Sequence, residues 1–271
     1  NQWLISFVMP KEYSLNTLPK PNNSEVVLRV LPKEKFAVIV FSGLVRESSY
    51  DEKVKLLTNF IKKYQNVTTH KKIKSLIENT FIKNNLKKIK ILEFGVDKGI
   101  STSLFLKYCE KTNSKLFSID IIDYSKLFNN TKWKFLKSRD DNKVNINKFL
   151  NSSVDIIFLD TEHTAKHVEK ILYMYFNKLK VNGLFIIDDI SWLPYIKNEW
   201  RDNEWIENNN KETFNKLIEI YNSNQKNIEI TFQFEHSGLA IIKKKGLRLK
   251  EYTPIKSRKY NIKNILRNLF L

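Results

Sequence analysis

Residues 89–103 read Ile-Lys-Ile-Leu-Glu-Phe-Gly-Val-Asp-Lys-Gly-Ile-Ser-Thr-Ser, and this stretch decides the fold. An apolar strand ends in Glu93, the chain turns through Gly95 and Gly99, and a helix is predicted to begin near Ser101. Glycine permits a positive φ and leaves no side chain between the backbone and a ligand. The turn is therefore predicted to present bare amides at a helix N-terminus, where a phosphate or carboxylate is stabilised.

Strands and helices alternate from residue 68 onward. The predicted strands are 89–94, 115–120, 133–136, 154–159, 184–188, 228–234 and 238–243, and the predicted helices are 71–84, 101–112, 144–150, 164–179 and 211–223. Strands that alternate with helices form a mostly parallel sheet covered on both faces. The sequence therefore predicts an α/β fold with a Rossmann-like, doubly wound sheet that ends in an antiparallel hairpin.

Acidic residues stand at the ends of four predicted strands: Glu93, Asp120, Asp160 and the pair Asp188-Asp189. Ligands of doubly wound sheets bind at the carboxyl ends of the strands, and a buried charge without a partner is costly. One or two such acids would be ordinary helix caps. Acids at four strand ends beside a glycine turn indicate a site, in which Asp120 can accept hydrogen bonds from a ribose. The spacing Glu-x-Gly-x-x-x-Gly favours S-adenosylmethionine over NAD.

Residues 93–189 resemble the class I S-adenosylmethionine-dependent methyltransferases. The likeness is greatest to the group of macrolide sugar O-methyltransferases and cephalosporin-hydroxylase-like proteins, and it extends over roughly residues 69–245. The resemblance implies that the methionine end of the cofactor is lined by Glu93, Gly95, Gly99 and Ser101, and that Asp120 binds the ribose. Asp140, after the third strand, is expected to approach the adenine; the alternative is that it caps the next helix.

Residues 160–163 read Asp-Thr-Glu-His. In the resembling group, an Asp-x-x-His at this strand end supplies a metal ligand and a catalytic base. Carried over, the resemblance implies that Asp160, Asp188 and Asp189 bind Mg²⁺ and that His163 is the general base. Three carboxylates with open water positions suit a hard cation, and histidine can take a proton near neutral pH. The alternative for His163 is a place in the cap or first turn of the helix that follows.

Residues 1–66 read differently. Phe7-Val8-Met9-Pro10, Leu18-Pro19-Lys20-Pro21 and Phe41-Ser42-Gly43 resemble the middle of a SOUL-type haem-binding domain, which implies a small, partial α+β segment. Its closing strands are missing, so its open edges must dock on the methyltransferase domain, pair with another chain in a homo-oligomer or be poorly ordered. Because the segment has no histidine and Met9 is its only sulfur ligand, axial haem ligation is not favoured, and we interpret it as a fusion remnant.

Composition limits the other possibilities. The chain has 271 residues, 42% hydrophobic, with a net charge of +18. Half of that charge lies in residues 243–271, where ten Lys or Arg accompany one acid, and we predict a basic tail over 246–271 after a domain at 67–245. The tail leaves nucleic-acid binding open without favouring it.

A single cysteine, Cys109, fits buried packing in a reducing compartment, and no apolar run is long enough to span a bilayer, so a cytoplasmic location is expected. Because the chain begins at Asn1 rather than Met, we also expect a fragment or processed form.

The leading hypothesis is an S-adenosylmethionine-dependent methyltransferase that makes an O-methyl ether on a sugar or another polyhydroxylated small molecule with Mg²⁺ assistance. In the resembling enzymes an acceptor-binding loop follows the acid pair, where this chain has Trp192, Trp200 and Trp205. These rings either stack on an acceptor or anchor the loop. The alternatives are a tetrapyrrole-binding SOUL-like protein, and an RNA-binding or RNA-modifying protein that acts through the tail.

Overall fold

The computed structural model describes residues 8–10, 25–30, 36–42, 69–192, 204–234 and 237–254. The chain divides into two compact units, Asn1–Lys71 with Leu193–Ile206, and Lys72–Trp192 with Glu207–Leu271. Within the described part of the chain, no helix is long and apolar enough to span a lipid bilayer.

The first unit contains a three-stranded antiparallel sheet. Its strands are β1 (Val8–Pro10), β2 (Glu25–Val30) and β3 (Phe36–Ser42), in the order β1-β3-β2. The Met-Pro strand and the strand that ends in Phe-Ser are therefore present, as the sequence predicts. The predicted Leu-Pro-x-Pro turn and the helix predicted at 49–63 lie outside the described residues.

The second unit is built on a seven-stranded sheet in the order β6-β5-β4-β7-β8-β10-β9. Its strands are β4 (Lys90–Phe94), β5 (Lys115–Asp120), β6 (Trp133–Lys137), β7 (Val154–Leu159), β8 (Leu179–Asp188), β9 (Ile228–Gln233) and β10 (Leu239–Lys244). The first five in this order are parallel, and β10 is antiparallel to both of its neighbours. The predicted fold class, with its terminal hairpin, is confirmed.

Helices connect these strands. They are α1 (described from residue 69 and continued by a π-helical turn at Ile77–Ile82), α2 (Ile100–Thr112), α3 (Lys143–Phe149), α4 (Ala165–Tyr175, followed by a 3₁₀ turn at Phe176–Lys178) and α5 (Glu204–Asn224). Most boundaries agree with the predicted ones within two residues.

Two elements begin at least five residues earlier than predicted. Strand β8 begins at Leu179 instead of residue 184, because Asn182 adopts a φ of 65° and the pairing with β7 shifts register between Val154 and Ile156, so that an Asn-Gly pair typical of a turn lies inside a bulged strand. Helix α5 begins at Glu204 instead of residue 211. The early start was not predicted, because Trp205 and Ile206 are followed by the polar run 207–210, which breaks the apolar periodicity. A tertiary hydrogen bond from Asn210 to the carbonyl of Ser191 (3.0 Å) accompanies that early start.

The core lies on both faces of the large sheet. In β7, Ile156 and Phe158 face one apolar layer and Ile157 and Leu159 face the other. The first layer includes residues of α1 and α2, and the second includes residues of α3, α4 and α5. Burial on both faces explains the continuous apolar runs of the central strands. Because β4, β5, β7 and β8 are parallel, their carboxyl ends lie along one edge of the sheet. The acids that end these strands lie along the same edge.

Candidate active site

The turn after β4 depends on glycine. Gly95 has a φ of 91°, and its amide donates a hydrogen bond to the carbonyl of Ile119 (2.9 Å). A Cβ atom at this position would lie 1.8 Å from the backbone oxygen of Asp160. Gly99, which caps α2, has a φ of 73°. The turn thus approaches the end of β7 so closely that only glycine is accommodated at position 95.

Glu93 lies beneath this turn. Its carboxylate has no exposed surface and accepts hydrogen bonds from the hydroxyls of Ser101 (2.7 Å), Thr102 (2.9 Å) and Ser118 (2.6 Å). Burial raises the pKa of Glu93 to about 7, although the three hydroxyls oppose the shift. Glu93 and Ser101, both predicted to line the cofactor, therefore contact each other and join β4, α2 and β5. Their contribution to cofactor binding stays a prediction.

Asp120, at the end of β5, holds the glycine turn from the other side. Its carboxylate accepts hydrogen bonds from the amides of Val96 (2.8 Å) and Ile122 (2.9 Å). The side chain is partly exposed, in contrast to Glu93. Asp120 is thus both a support of the turn and an acceptor that a ligand can reach.

Asp140 is engaged within the protein. Its carboxylate lies 2.6 Å from Nε2 of His167 and accepts a hydrogen bond from the hydroxyl of Thr161 (2.7 Å). These hydrogen bonds lower the pKa of Asp140 against the opposing effect of its burial. The residue therefore connects the loop after β6 with the start of α4. It does not cap α3, because Asn142 has that position, and its predicted proximity to adenine stays a prediction.

The predicted base and two of the predicted metal ligands meet at the exposed side of the sheet edge. Nε2 of His163 lies 3.5 Å from Oδ1 of Asp160 and 3.6 Å from Oδ2 of Asp189, and each of the three side chains is about one-third exposed. Thr164 caps α4, so His163 is not the cap. Burial alone would lower the pKa of His163, but Asp189 and Asp160 raise it above its ordinary value.

A lysine that is not among the predicted site residues lies next to this group. Nζ of Lys72 donates hydrogen bonds to a carboxylate oxygen of Asp188, to Oδ1 of Asp189 (3.3 Å) and to the hydroxyl of Ser237 (2.5 Å). The side chains of Lys72 and Asp188 are only 6% and 3% exposed. Burial opposes the charge on Lys72, yet the carboxylates of Asp188 and Asp189 raise its pKa, so it stays an ammonium ion. Burial opposes the charge on both acids: it raises the pKa of Asp188, whereas at Asp189 the ammonium and His163 outweigh it and lower the pKa.

A weak signal for Lys72 exists in the sequence. The apolar face of α1 includes Ile73, Leu76 and Phe81, all fully buried, and Lys72 lies one turn before Leu76 on that face. A charged residue within an apolar stripe indicates a buried partner. Its partners are more than one hundred residues away in the sequence, so the pattern alone does not identify them.

Two sequence families match different parts of the chain. Residues 92–190 match the family described as "Methyltransferase domain". This match covers 99 of the 271 residues of the chain. Residues 1–78 match the family described as "SOUL heme-binding protein", and both predicted resemblances are thereby confirmed. The methyltransferase match contains the glycine turn, Asp120, His163 and the acid pair, whereas Lys72 precedes it.

Comparison with solved structures gives distant similarities. The first is MycE methyltransferase from the mycinamycin biosynthetic pathway in complex with Mg and SAH, at 14% identity and a TM-score of 0.47 over 72% of this chain and 54% of that one. The chain thus spans about half the length of that protein. MycE with Mg, SAH and mycinamycin VI is also similar (14%, TM-score 0.48, 80% and 68% covered), as is SAH-bound PaMTH1 of Podospora anserina (16%, TM-score 0.46, 58% and 72% covered). No curated protein matches the chain.

The remaining predicted residues are only partly described. Trp192 packs against Phe214 with ring centroids 5.7 Å apart, which favours an anchoring role for this ring, while Trp205 is exposed. Trp200 lies outside the described residues. Cys109 is fully buried on α2 and burial raises its pKa to about 12, as expected for a packing residue.

Proposed function

We propose that this chain is an S-adenosylmethionine-dependent O-methyltransferase whose acceptor is a hydroxyl of a sugar or another polyhydroxylated small molecule. One observation carries the proposal. The glycine turn contacts the backbone of Asp160, and the side chain of Asp160 lies beside His163, so that a cofactor turn and a base share one edge of the sheet. A methyl donor on the turn and a hydroxyl near the histidine would therefore be neighbours.

The chemistry needs little from the protein beyond orientation and proton removal. The acceptor oxygen attacks the methyl carbon of the sulfonium in line, a carbon–oxygen bond forms, the carbon–sulfur bond breaks, and S-adenosylhomocysteine leaves. His163 takes the hydroxyl proton, and the carboxylates of Asp160 and Asp189 stabilise the resulting imidazolium. Because both carboxylates are partly exposed, they can also accept hydrogen bonds from a second hydroxyl, which favours a polyhydroxylated acceptor.

The Mg²⁺ part of the expectation fits this edge poorly. Two of its three predicted ligands, Asp188 and Asp189, already bind the ammonium of Lys72. Among the described residues, no group of three or more His, Cys, Asp or Glu side chains is arranged to hold a metal ion. We therefore assign no step to a metal, and the Mg²⁺ assistance that the resemblance implies is not part of this proposal.

Calorimetric titration of the purified chain with S-adenosylmethionine tests the proposal. We expect micromolar binding that Asp120→Ala reduces at least tenfold, because the change removes a ribose acceptor and a support of the turn. Asp123→Ala is the matched control, since this acid lies in the same loop, is exposed and bonds only locally to the amide of Ser125. Absence of binding in a folded sample would overturn the assignment.

Tetrapyrrole binding is a second candidate for residues 1–78, supported by the match to the SOUL family. Titration of the full chain with haem should then give a Soret band with saturable amplitude. The domain boundaries at 66 and 245, a homo-oligomer, the cytoplasmic location and an RNA-directed role of residues 246–271 stay predictions. The described part of that tail, residues 246–254, belongs to the second unit, where the hydroxyl of Tyr173 donates a hydrogen bond to the carbonyl of Lys250 (2.7 Å).

A further inference from the structure

The ammonium of Lys72 has a complete set of oxygen partners. Its three N–H groups meet three acceptors: a carboxylate oxygen of Asp188, one of Asp189 and the hydroxyl of Ser237. A lysine ammonium has three donors, so none is left for a substrate. This cation lies at the position where two carboxylates were expected to bind Mg²⁺.

The amine is held firmly in this place. Its helix, α1, is anchored on the sheet by Leu76 and Phe81, which are fully buried. The acceptors come from the end of β8 and from the connection between β9 and β10, so three separate parts of the second unit converge on one nitrogen. A buried charge is tolerated only with such pairing, since removing one partner leaves an uncompensated charge.

We propose that the ammonium of Lys72 takes the place of the divalent cation at this edge, so that the methyltransferase works without a metal. The inference rests on the proposed function for its catalytic meaning, but the charge arrangement can be tested separately. Lys72 is a positioning residue, because it has no N–H left for the methyl acceptor. It holds Oδ1 of Asp189, whose other oxygen lies 3.6 Å from Nε2 of His163.

The reaction balances without a metal. The hydroxyl proton passes to His163, the oxygen gains the methyl group, and the sulfonium becomes a neutral thioether. The positive charge that arises on the imidazole is matched by Asp189, which the ammonium holds in place. No Lewis acid is needed to hold the two carboxylates together, because the ammonium already offsets their repulsion.

The test uses Mg²⁺ alone as the probe, with calorimetry and thermal melting of the full chain after chelator treatment. Wild type should give no saturable heat and no change in Tm. Lys72→Met removes the ammonium and leaves the acids unpaired, so Mg²⁺ should bind and raise its Tm by about 5–10 °C at a hundredfold excess over its Kd. Lys74→Met is the control, because Lys74 is on the same helix and is 61% exposed.

Two further variants keep the result interpretable. Lys72→Arg retains the charge and should stay insensitive to Mg²⁺. Lys72→Met combined with Asp188→Asn removes both charges of the pair, so it should fold and lose the response to Mg²⁺. If Lys72→Met alone does not fold, wild type and Lys72→Arg decide the question.

Saturable Mg²⁺ binding by wild type that Asp188→Asn abolishes would overturn the proposal. So would a response of Lys72→Met no larger than that of Lys74→Met. Titration of the same samples with S-adenosylmethionine distinguishes the two proposals. If wild type binds neither Mg²⁺ nor S-adenosylmethionine, the role of Lys72 stands and the methyltransferase function is refuted. If wild type binds both, only the role of Lys72 is refuted.

Discussion

Replacing Gly95 by alanine tests whether the glycine turn and the end of β7 form one rigid support. The new Cβ would lie 1.8 Å from the backbone oxygen of Asp160, whereas real Cβ atoms essentially never approach closer than 3.0 Å. Either strand end must move by more than an ångström. The movement strains two backbone hydrogen bonds, from Gly95 to Ile119 and from Asp160 to Phe94, each 2.9 Å long.

The expected cost follows from these contacts. A non-glycine residue at this positive φ costs about 1–3 kcal/mol. A weakened backbone hydrogen bond adds about 1 kcal/mol, which gives about 3 kcal/mol in total. Gly99→Ala is the matched control, because its φ is also positive but the new Cβ would meet only side-chain atoms of Leu127 and Phe128. Leu127 is partly exposed and can move, so we expect about 1 kcal/mol there.

Amide hydrogen exchange is a suitable assay, because it reports the second unit separately from the first. A loss of about 3 kcal/mol accelerates exchange through global opening roughly a hundredfold in β4, β5 and β7. Gly99→Ala should accelerate it less than tenfold. Binding of S-adenosylmethionine should weaken more in Gly95→Ala than in Gly99→Ala. Equal protection in the two variants would refute the reasoning, since the contact with Asp160 would then not limit residue 95.

Three other predictions concern ionisable groups. Burial raises the pKa of Glu93 from 4.5 to about 7, so the folded chain retains a proton that the unfolded chain releases. This group alone should lower the stability by roughly 2–4 kcal/mol as the pH rises through this window, and urea titrations should show Glu93→Gln with a correspondingly smaller slope than wild type. His163 should titrate above 6.5 by NMR, and Asp189→Asn should lower its midpoint, because the neighbouring carboxylate raises the pKa; an unchanged midpoint would contradict the geometry. Once an acceptor is found, His163→Gln should slow single-turnover methyl transfer about 10²–10⁴-fold without weakening cofactor binding, and wild-type transfer should rise with pH through the same pKa.

The order of elements could be predicted because hydrophobic periodicity is a local property. The strands from β4 to β7 read as short apolar runs bounded by turn residues, and their terminal acids indicate a candidate site at one edge of the sheet without any tertiary information. The beginning of β8 could not be predicted, since Asn182 and Gly183 are typical of a turn and only pairing with β7 retains them in a strand.

The faces of the sheet and the partners of the charged side chains are harder to predict than the order of the elements. Glu93 alternates with Leu92 and Phe94, which face one apolar layer, so its side chain lies on the same face as Ile91 and meets α2. That alternation was available in the sequence. The partners of Lys72 were not, because a pairing of residues so distant along the chain depends on how the whole unit folds.

The location of Ser237 limits what can be transplanted from this protein. The segment that matches the methyltransferase family ends at residue 190. The hydroxyl of Ser237 nevertheless accepts a hydrogen bond from Lys72, and the amide of Ser191 donates one to the carbonyl of Ser237 (2.8 Å). Lys72 itself comes from before the segment. A chimera that exchanges residues 92–190 alone would therefore inherit the acids and the histidine without the groups that neutralise them. A chimera that retains the paired charges must also include α1 and the hairpin of β9 and β10.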